Sequence, residues 1–155
     1  MNAPAPSIPQ QAGAAAAALP QAAFVWPVRV YWEDTDAGGI VFYANYLKFF
    51  ERARTEWLRS KGLAQQALRE ATGGMFVVSE TQVQYHRAAR LDDELLVTAG
   101  LQQGGRASLT IAQQAWRKTA TGPELLCAGT IRIGWVCAAS LKPERMPSSI
   151  LQALS

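Results

Sequence analysis

The chain has 155 residues, 49% hydrophobic and 17% charged, with a formal net charge of +3. That suffices for one domain with a sizeable core. It holds no apolar run of the ~18–20 residues a membrane span needs, and its mild, scattered basicity argues against a nucleic-acid binder. One histidine, His86, excludes mechanisms needing two, and two cysteines exclude a disulfide framework or a cysteine-rich zinc site, so no metal is expected.

In chain order, residues 1–23 come first, with ten alanines and no charge. They lack the positive start and long apolar core of a secretory leader and read as a disordered Ala/Pro-rich tail, with a short helix over 12–19 as the alternative. A cytoplasmic location is expected. Residues 24–155 read as one domain. Phe24 to Glu33 is β-rich and predicts a strand, running into the turn-forming Glu33-Asp34-Thr35-Asp36-Ala37-Gly38-Gly39. From Asn45 to Lys61 the apolar Tyr46, Phe49, Phe50, Ala53, Trp57 and Leu58 recur at spacings of three and four, predicting a long helix closed by Gly62. A shorter helix over Leu63–Ala71 ends at Gly73-Gly74.

The period then changes to two. Val77, Val83 and Tyr85 are assigned to one face of a strand from Met75 to His86. Leu95, Val97, Ala99 and Leu101 share a face of the next strand. Leu109, Ile111 and Ala115 do so in a third, with Trp116 opposite, and Cys127, Ile131, Ile133, Trp135 and Cys137 in a fourth. Cys127 and Cys137, ten residues apart in one strand and hence about 33 Å apart, are expected to be free core thiols. The links Ala88–Asp93, Gln103–Gly105 and Thr119–Pro123 are short and suggest antiparallel neighbours in a four-strand meander. A short helical tail follows from Pro147. The architecture is α+β, a sheet laid on a long helix.

Reactive groups concentrate at Glu33-Asp34-Thr35-Asp36, before Gly38-Gly39 and the helix start. Neighbouring carboxylates repel, which raises a pKa where they are buried; glycines let backbone approach a ligand; a helix start offers unpaired N–H groups. Together these could polarise and attack a carbonyl, or simply form a capped, solvated turn. Asp34 has two readings, orienting Asp36 or capping the turn. Glu51 is expected to pair with Arg54 or Arg52, and His86 to be structural. Tyr31 and Tyr46 either edge a pocket or pack in the core.

The run Val30-Tyr31-Trp32-Glu33-Asp34-Thr35-Asp36-Ala37-Gly38-Gly39-Ile40-Val41-Phe42-Tyr43-Ala44-Asn45-Tyr46 resembles the signature of the 4-hydroxybenzoyl-CoA thioesterase family of hotdog-fold proteins. Phe50-Glu51-Arg52-Ala53-Arg54-Thr55-Glu56 and Ala89-Arg90-Leu91-Asp92-Asp93 resemble its branch associated with the Tol–Pal envelope system. The resemblance covers about residues 28–150 and implies a hotdog, an antiparallel sheet wrapped around a long central helix. It implies an acyl-CoA thioesterase, without cofactor, in which Asp36 is nucleophile or general base and the Tyr43 backbone N–H polarises the carbonyl. It further implies that Gly38, Gly39 and Val41 line the passage, while Arg87, Arg90 and Arg106 are candidates for the phosphates of coenzyme A. Acyl-CoA, or acyl carrier protein as carrier, is the implied substrate, taken by a homodimer or homotetramer with interfacial sites. Two departures are Tyr43, where many Tol–Pal-branch members have histidine, and Ala88, where proline is common. Rival readings are an enoyl-thioester hydratase or dehydratase of the same fold, and a non-catalytic acyl-thioester or envelope-complex interaction protein.

Overall fold

The computed structural model describes residues 18–20 and 23–155; the expected disordered tail lies almost wholly outside them. Strand β1, Phe24–Arg29, gives way to a 3-10 turn at Trp32–Asp34. The predicted strand is thus shortened at its end, because the Asp34 N–H bonds back to the Tyr31 carbonyl at 3.1 Å and curls the chain out of the sheet. Helix α1, Asn45–Ser60, and helix α2, Gln65–Thr72, follow, then β2 (Gly74–Tyr85), β3 (Glu94–Gly104), β4 (Ser108–Arg117), β5 (Glu124–Cys137) and α3 (Ser148–Leu154). Gly62, at φ +78°, turns the chain off α1 as the sequence anticipates.

All five strands form one antiparallel sheet in the order β1-β3-β4-β5-β2. α1 packs against its inner face. The six predicted apolar positions of α1 are all buried, against Leu95, Val97 and Ala99 of β3, Leu109, Ile111 and Ala115 of β4, and Ile131, Ile133 and Trp135 of β5. Each large side chain so buried contributes about 1.5–3 kcal/mol. Among the described residues no helix is long and apolar enough to cross a membrane.

Three expectations are corrected. The meander holds for β3-β4-β5, but β2 lies beside β5 at the far edge. Residues 86–93 reach roughly 26 Å extended, whereas β2 and β3 sit only three strand spacings apart, about 14 Å; a short link did not require adjacency. Second, the register of β2 slips between Val78 and Glu80. The bulge flips the alternation, so Phe76, stacked edge-on against Trp135 at 5.0 Å, takes the inward position assigned to Val77. Tyr85 keeps the face of Val83 but ends the strand and is 45% exposed. Third, Cys127 and Cys137 are both free, but only Cys127 is buried; Cys137 ends β5, where burial falls away.

The two thiols are therefore chemically unlike. Burial pushes Cys127 up to about 12, while the hydrogen bond to the Ser140 side chain, with backbone bonds from Ser140 and Ala139, draws Cys137 down. Since the thiolate is the reacting form, an alkylating reagent at pH 8 is expected to label Cys137 in the native protein and Cys127 only after unfolding. Mass spectrometry of the labelled peptides checks this; equal labelling of both would contradict it.

Candidate active site

The carboxylate-rich segment folds around Asp34, which is buried at 4% exposure. Its Oδ2 accepts the Tyr31 N–H at 2.8 Å. Its main-chain carbonyl accepts both the Phe42 N–H and Asn45 Nδ2, each at 2.9 Å. Asp34 is thus the capping residue and does not orient Asp36. The chain then makes a small hairpin, bridged Thr35 to Val41. At its tip the Asp36 N–H reaches the Ile40 carbonyl at 2.9 Å, and Asp36 Oδ1 accepts the Gly38 N–H at 2.8 Å. Gly39 adopts φ +78°, and a Cβ at Gly38 would crowd Asp36 Oδ1 at 3.1 Å. Both glycines suit the tight turn that carries Asp36. Asp36, Gly38 and Gly39 all lie exposed on this tip.

The hairpin is laced to the link after β2. Val41 N–H donates to the Ala89 carbonyl at 2.9 Å, and Ile40 bridges to Arg90. α1 starts next. Its first turn is tight: Asn45 N–H donates to the Phe42 carbonyl at 2.8 Å and Leu47 N–H to the Ala44 carbonyl at 3.1 Å. In a trans peptide the N–H opposes the C=O, so the Tyr43 N–H points away from α1. Among the described residues it donates to no backbone group or side chain.

A cavity of about 260 Å³ opens here, walled by Ile40 and Val41 of the hairpin, Tyr43 and Tyr46 at the head of α1, and Tyr85 to Ala88 at the end of β2. A larger hollow of about 340 Å³ lies over β3, β4 and β5, lined by small and uncharged residues such as Gly100, Ala112 and Ala128, with Pro20 and Ala23 at its rim. It offers no acid, base or cation, so the smaller cavity is the candidate site.

Of the predicted residues, the cavity gathers Val41, Tyr43 and Arg87. Asp36, Gly38 and Gly39 stand at the tip of the hairpin that forms its wall, and Arg90 on the link beside it. Arg106 stands at the start of β4, by the C-terminal segment, where its carbonyl accepts the Met146 N–H at 2.8 Å. The opposite end of β4, at Ala115, pairs with Cys127, the partner of Tyr85; one chain does not bring Arg106 to this cavity. Arg87 is shared with Glu124 at 3.2 Å, which Arg117 holds at 2.7 Å. The Arg117 hydrogen bond first, with Arg87 adding to it, keeps the Glu124 carboxyl below the usual carboxylate range.

Tyr46 both packs in the core, at 2% exposure, and lines the cavity, while Tyr31, 60% exposed, stands outside it. His86, expected to be structural, stands exposed on the cavity wall. The Glu51–arginine pair does not form: Glu51 Oε1 accepts the Thr55 hydroxyl at 2.9 Å. Arg54, three residues along, is turned inward by the helical pitch, and its Nη1 donates to Gln113 Oε1 at 2.9 Å. Tyr85 was missed as a site residue, because strict alternation along β2 assigned it to the core.

The thioesterase superfamily model matches residues 38–123. The acyl-CoA thioesterase YbgC of Haemophilus influenzae is 41% identical over 130 residues, covering 84% of this chain and 93% of that protein. The acyl-CoA thioester hydrolase YbgC of an Escherichia coli strain is 42% identical over 128 residues, covering 83% and 92%. In fold, the chain is similar to a mutant 4-hydroxybenzoyl CoA thioesterase complexed with 4-hydroxybenzoyl CoA, at TM-score 0.81 and 18% identity, covering 86% of this chain and 99% of that one.

Replacing Asp34 by alanine removes the acceptor of the half-buried Tyr31 N–H, a loss worth about 1 kcal/mol. Denaturant unfolding should register that drop; a variant as stable as the native protein would mean that the Asp34 carboxylate does not secure the base of the hairpin.

Proposed function

The chain belongs to the thioesterase superfamily, and from that premise we propose that it hydrolyses an acyl-CoA thioester to a carboxylic acid and free coenzyme A. The observation that carries the reading is the Tyr43 N–H, without an intrachain partner among the described residues, at the mouth of an aromatic cavity walled by the hairpin of Asp36. A donor fixed in advance stabilises the oxyanion as it forms, at no cost of reorganisation. Asp36, anchored at Gly38 by one oxygen, either attacks the carbonyl carbon, giving an anhydride that water then cleaves to the acid, or takes a proton from the attacking water. The C–S bond breaks, and the sulfur leaves as thiol once protonated. Val41, Gly38 and Gly39 line the passage; Arg87 and Arg90 take the phosphates. The unpaired thiols of Cys127 and Cys137 suit a reducing cytoplasm.

Arg106 serves such a site only from a second copy of the chain. The two sheet edges differ in how they invite one. β1 is six residues long and carries Pro27, which cannot donate to a ladder. β2 is twelve residues long, lacks proline, and presents Val78 at 53% exposure, with Phe42, 44% exposed, against Tyr43 at the Tyr85 end of the strand. Two β2 edges pairing antiparallel would cover both and give a homodimer, or a homotetramer of two such pairs.

Thiol release from acetyl-, palmitoyl- and benzoyl-CoA tests the chemistry. Asp36→Asn keeps size and removes charge, and should lower kcat/KM by a hundredfold or more, about 2.7 kcal/mol of barrier. Equal rates in both proteins would move the chemistry off Asp36; no hydrolysis by a folded native protein would leave a binding module. Light scattering tests the assembly. The native protein should run as two or four copies, and Val78→Lys, which sets like charges along the paired edges, as one. A native monomer would refute the dimer.

A further inference from the structure

We propose that Tyr85 is a positioning residue for the reaction, its hydroxyl holding the Tyr43 main chain in the orientation that aims the Tyr43 N–H at the substrate carbonyl. The inference rests on the thioesterase reading above and adds to it a residue on another element. It begins with a carbonyl that the helix leaves out. Tyr43 stands one residue before Ala44, the N-cap of α1, so its C=O lies outside the helical ladder; Leu47 in the first turn donates to Ala44, at 3.1 Å. Tyr85, forty-two residues away, supplies the missing donor: its hydroxyl donates to the Tyr43 oxygen at 2.9 Å.

The consequence is geometric. Two peptide planes meet at Tyr43. The preceding one is pinned by the Phe42 carbonyl on Asn45 N–H at 2.8 Å, and the following one by Tyr85. With both planes held, φ and ψ of Tyr43 are fixed, and so is the direction of its N–H. The bond also occupies lone-pair density that would otherwise face the cavity beside a developing negative charge, where it would oppose the oxyanion.

The hydroxyl is itself well placed to do this. The Tyr85 ring meets those of Tyr46, at a centroid distance of 5.7 Å, and Tyr43, at 6.2 Å, edge-on. Tyr46 is buried, and its own hydroxyl accepts the Ala89 N–H at 3.1 Å. Tyr85 is thus braced by a core residue, although nearly half its surface is open. Burial first, with Cys127 and Tyr43 nearby, raises the phenol above its ordinary pKa, so it remains a donor at neutral pH.

The test is Tyr85→Phe, which keeps the ring and removes only the oxygen. Hydrolysis of acetyl-, palmitoyl- and benzoyl-CoA should show kcat down by about tenfold, equivalent to about 1.4 kcal/mol, with KM and the thermal midpoint unchanged. The carbonyl stretch of the best of the three, isotope-labelled and bound to Asp36→Asn, should lie at lower frequency than in water and shift back towards that value when Tyr85→Phe is added. An unchanged kcat, or a fall in kcat that comes with a raised KM and a lower thermal midpoint, overturns the positioning role. An unshifted stretch in Asp36→Asn overturns the Tyr43 N–H as the polarising donor and this role with it, while a native protein inactive on all three thioesters overturns the thioesterase reading itself.

Discussion

The site depends on one buried carbonyl. The main-chain oxygen of Asp34 receives both the Phe42 N–H and the Asn45 side chain, so the end of the 3-10 turn and the start of α1 are tied at one atom. Everything between them, the hairpin with Asp36 at its tip, is a loop closed by that tie. Closing seven residues against a fixed base leaves the hairpin few conformations, and the two glycines relieve the strain of so tight a path. The Asp34 carboxylate secures the base from the other side by holding Tyr31. A carboxylate that would be available for chemistry if exposed is instead spent on architecture, and Asp36, two residues on, is left free of that duty.

A second buried polar group joins helix to sheet. Arg54 is 8% exposed, and its partner is neutral: Gln113, which turns its amide to the Phe50 carbonyl at 2.9 Å and to the Thr98 carbonyl at 3.2 Å. Burial lowers the pKa of Arg54, with Glu51 partly opposing. A guanidinium that turns inward from an amphipathic helix would be costly without acceptors. Here Gln113 ties it to the main chain of both α1 and β3. The arrangement sets the rotation of α1 on the sheet more sharply than apolar packing would, since apolar contacts tolerate sliding and hydrogen bonds do not. The rotation of α1 in turn sets where Tyr43 and Tyr46 face.

How much of this was legible in the sequence follows from the range of each interaction. The apolar stripe of α1 was legible because helical periodicity is local; all six positions are buried. The small hairpin and its motif were legible because turn chemistry is local as well. The place of β2 was not, since pairing with β5 rather than β3 is decided by contacts distant in sequence and not by link length. One bulge in β2 was enough to put Val77 on the wrong face, because a single extra residue exchanges the faces on its two sides; Tyr85 keeps the face of Val83 but stands at the strand end, where the core stops and the cavity begins. The inward turn of Arg54 was hidden for another reason: charge spacing along a helix records which partners are within reach, not which side of the helix the sheet covers.

The same distinction explains why the reactive groups in one chain look unfinished. Asp36 is exposed at a hairpin tip and Arg106 is a sheet-length from the cavity, while the Tyr43 N–H is without an intrachain partner among the described residues. Electrostatic stabilisation of an oxyanion is strong where water is excluded and weak where it is not. A cavity walled in part by the end of an unpaired twelve-residue edge strand therefore gains from whatever covers that edge. Covering it with another copy of β2 would satisfy the free backbone groups of the strand, bury Val78 and Phe42, and dry the space above Tyr43 in one step. On this reading assembly and catalysis are the same constraint: the edge that a monomer leaves unpaired is the wall its active site lacks.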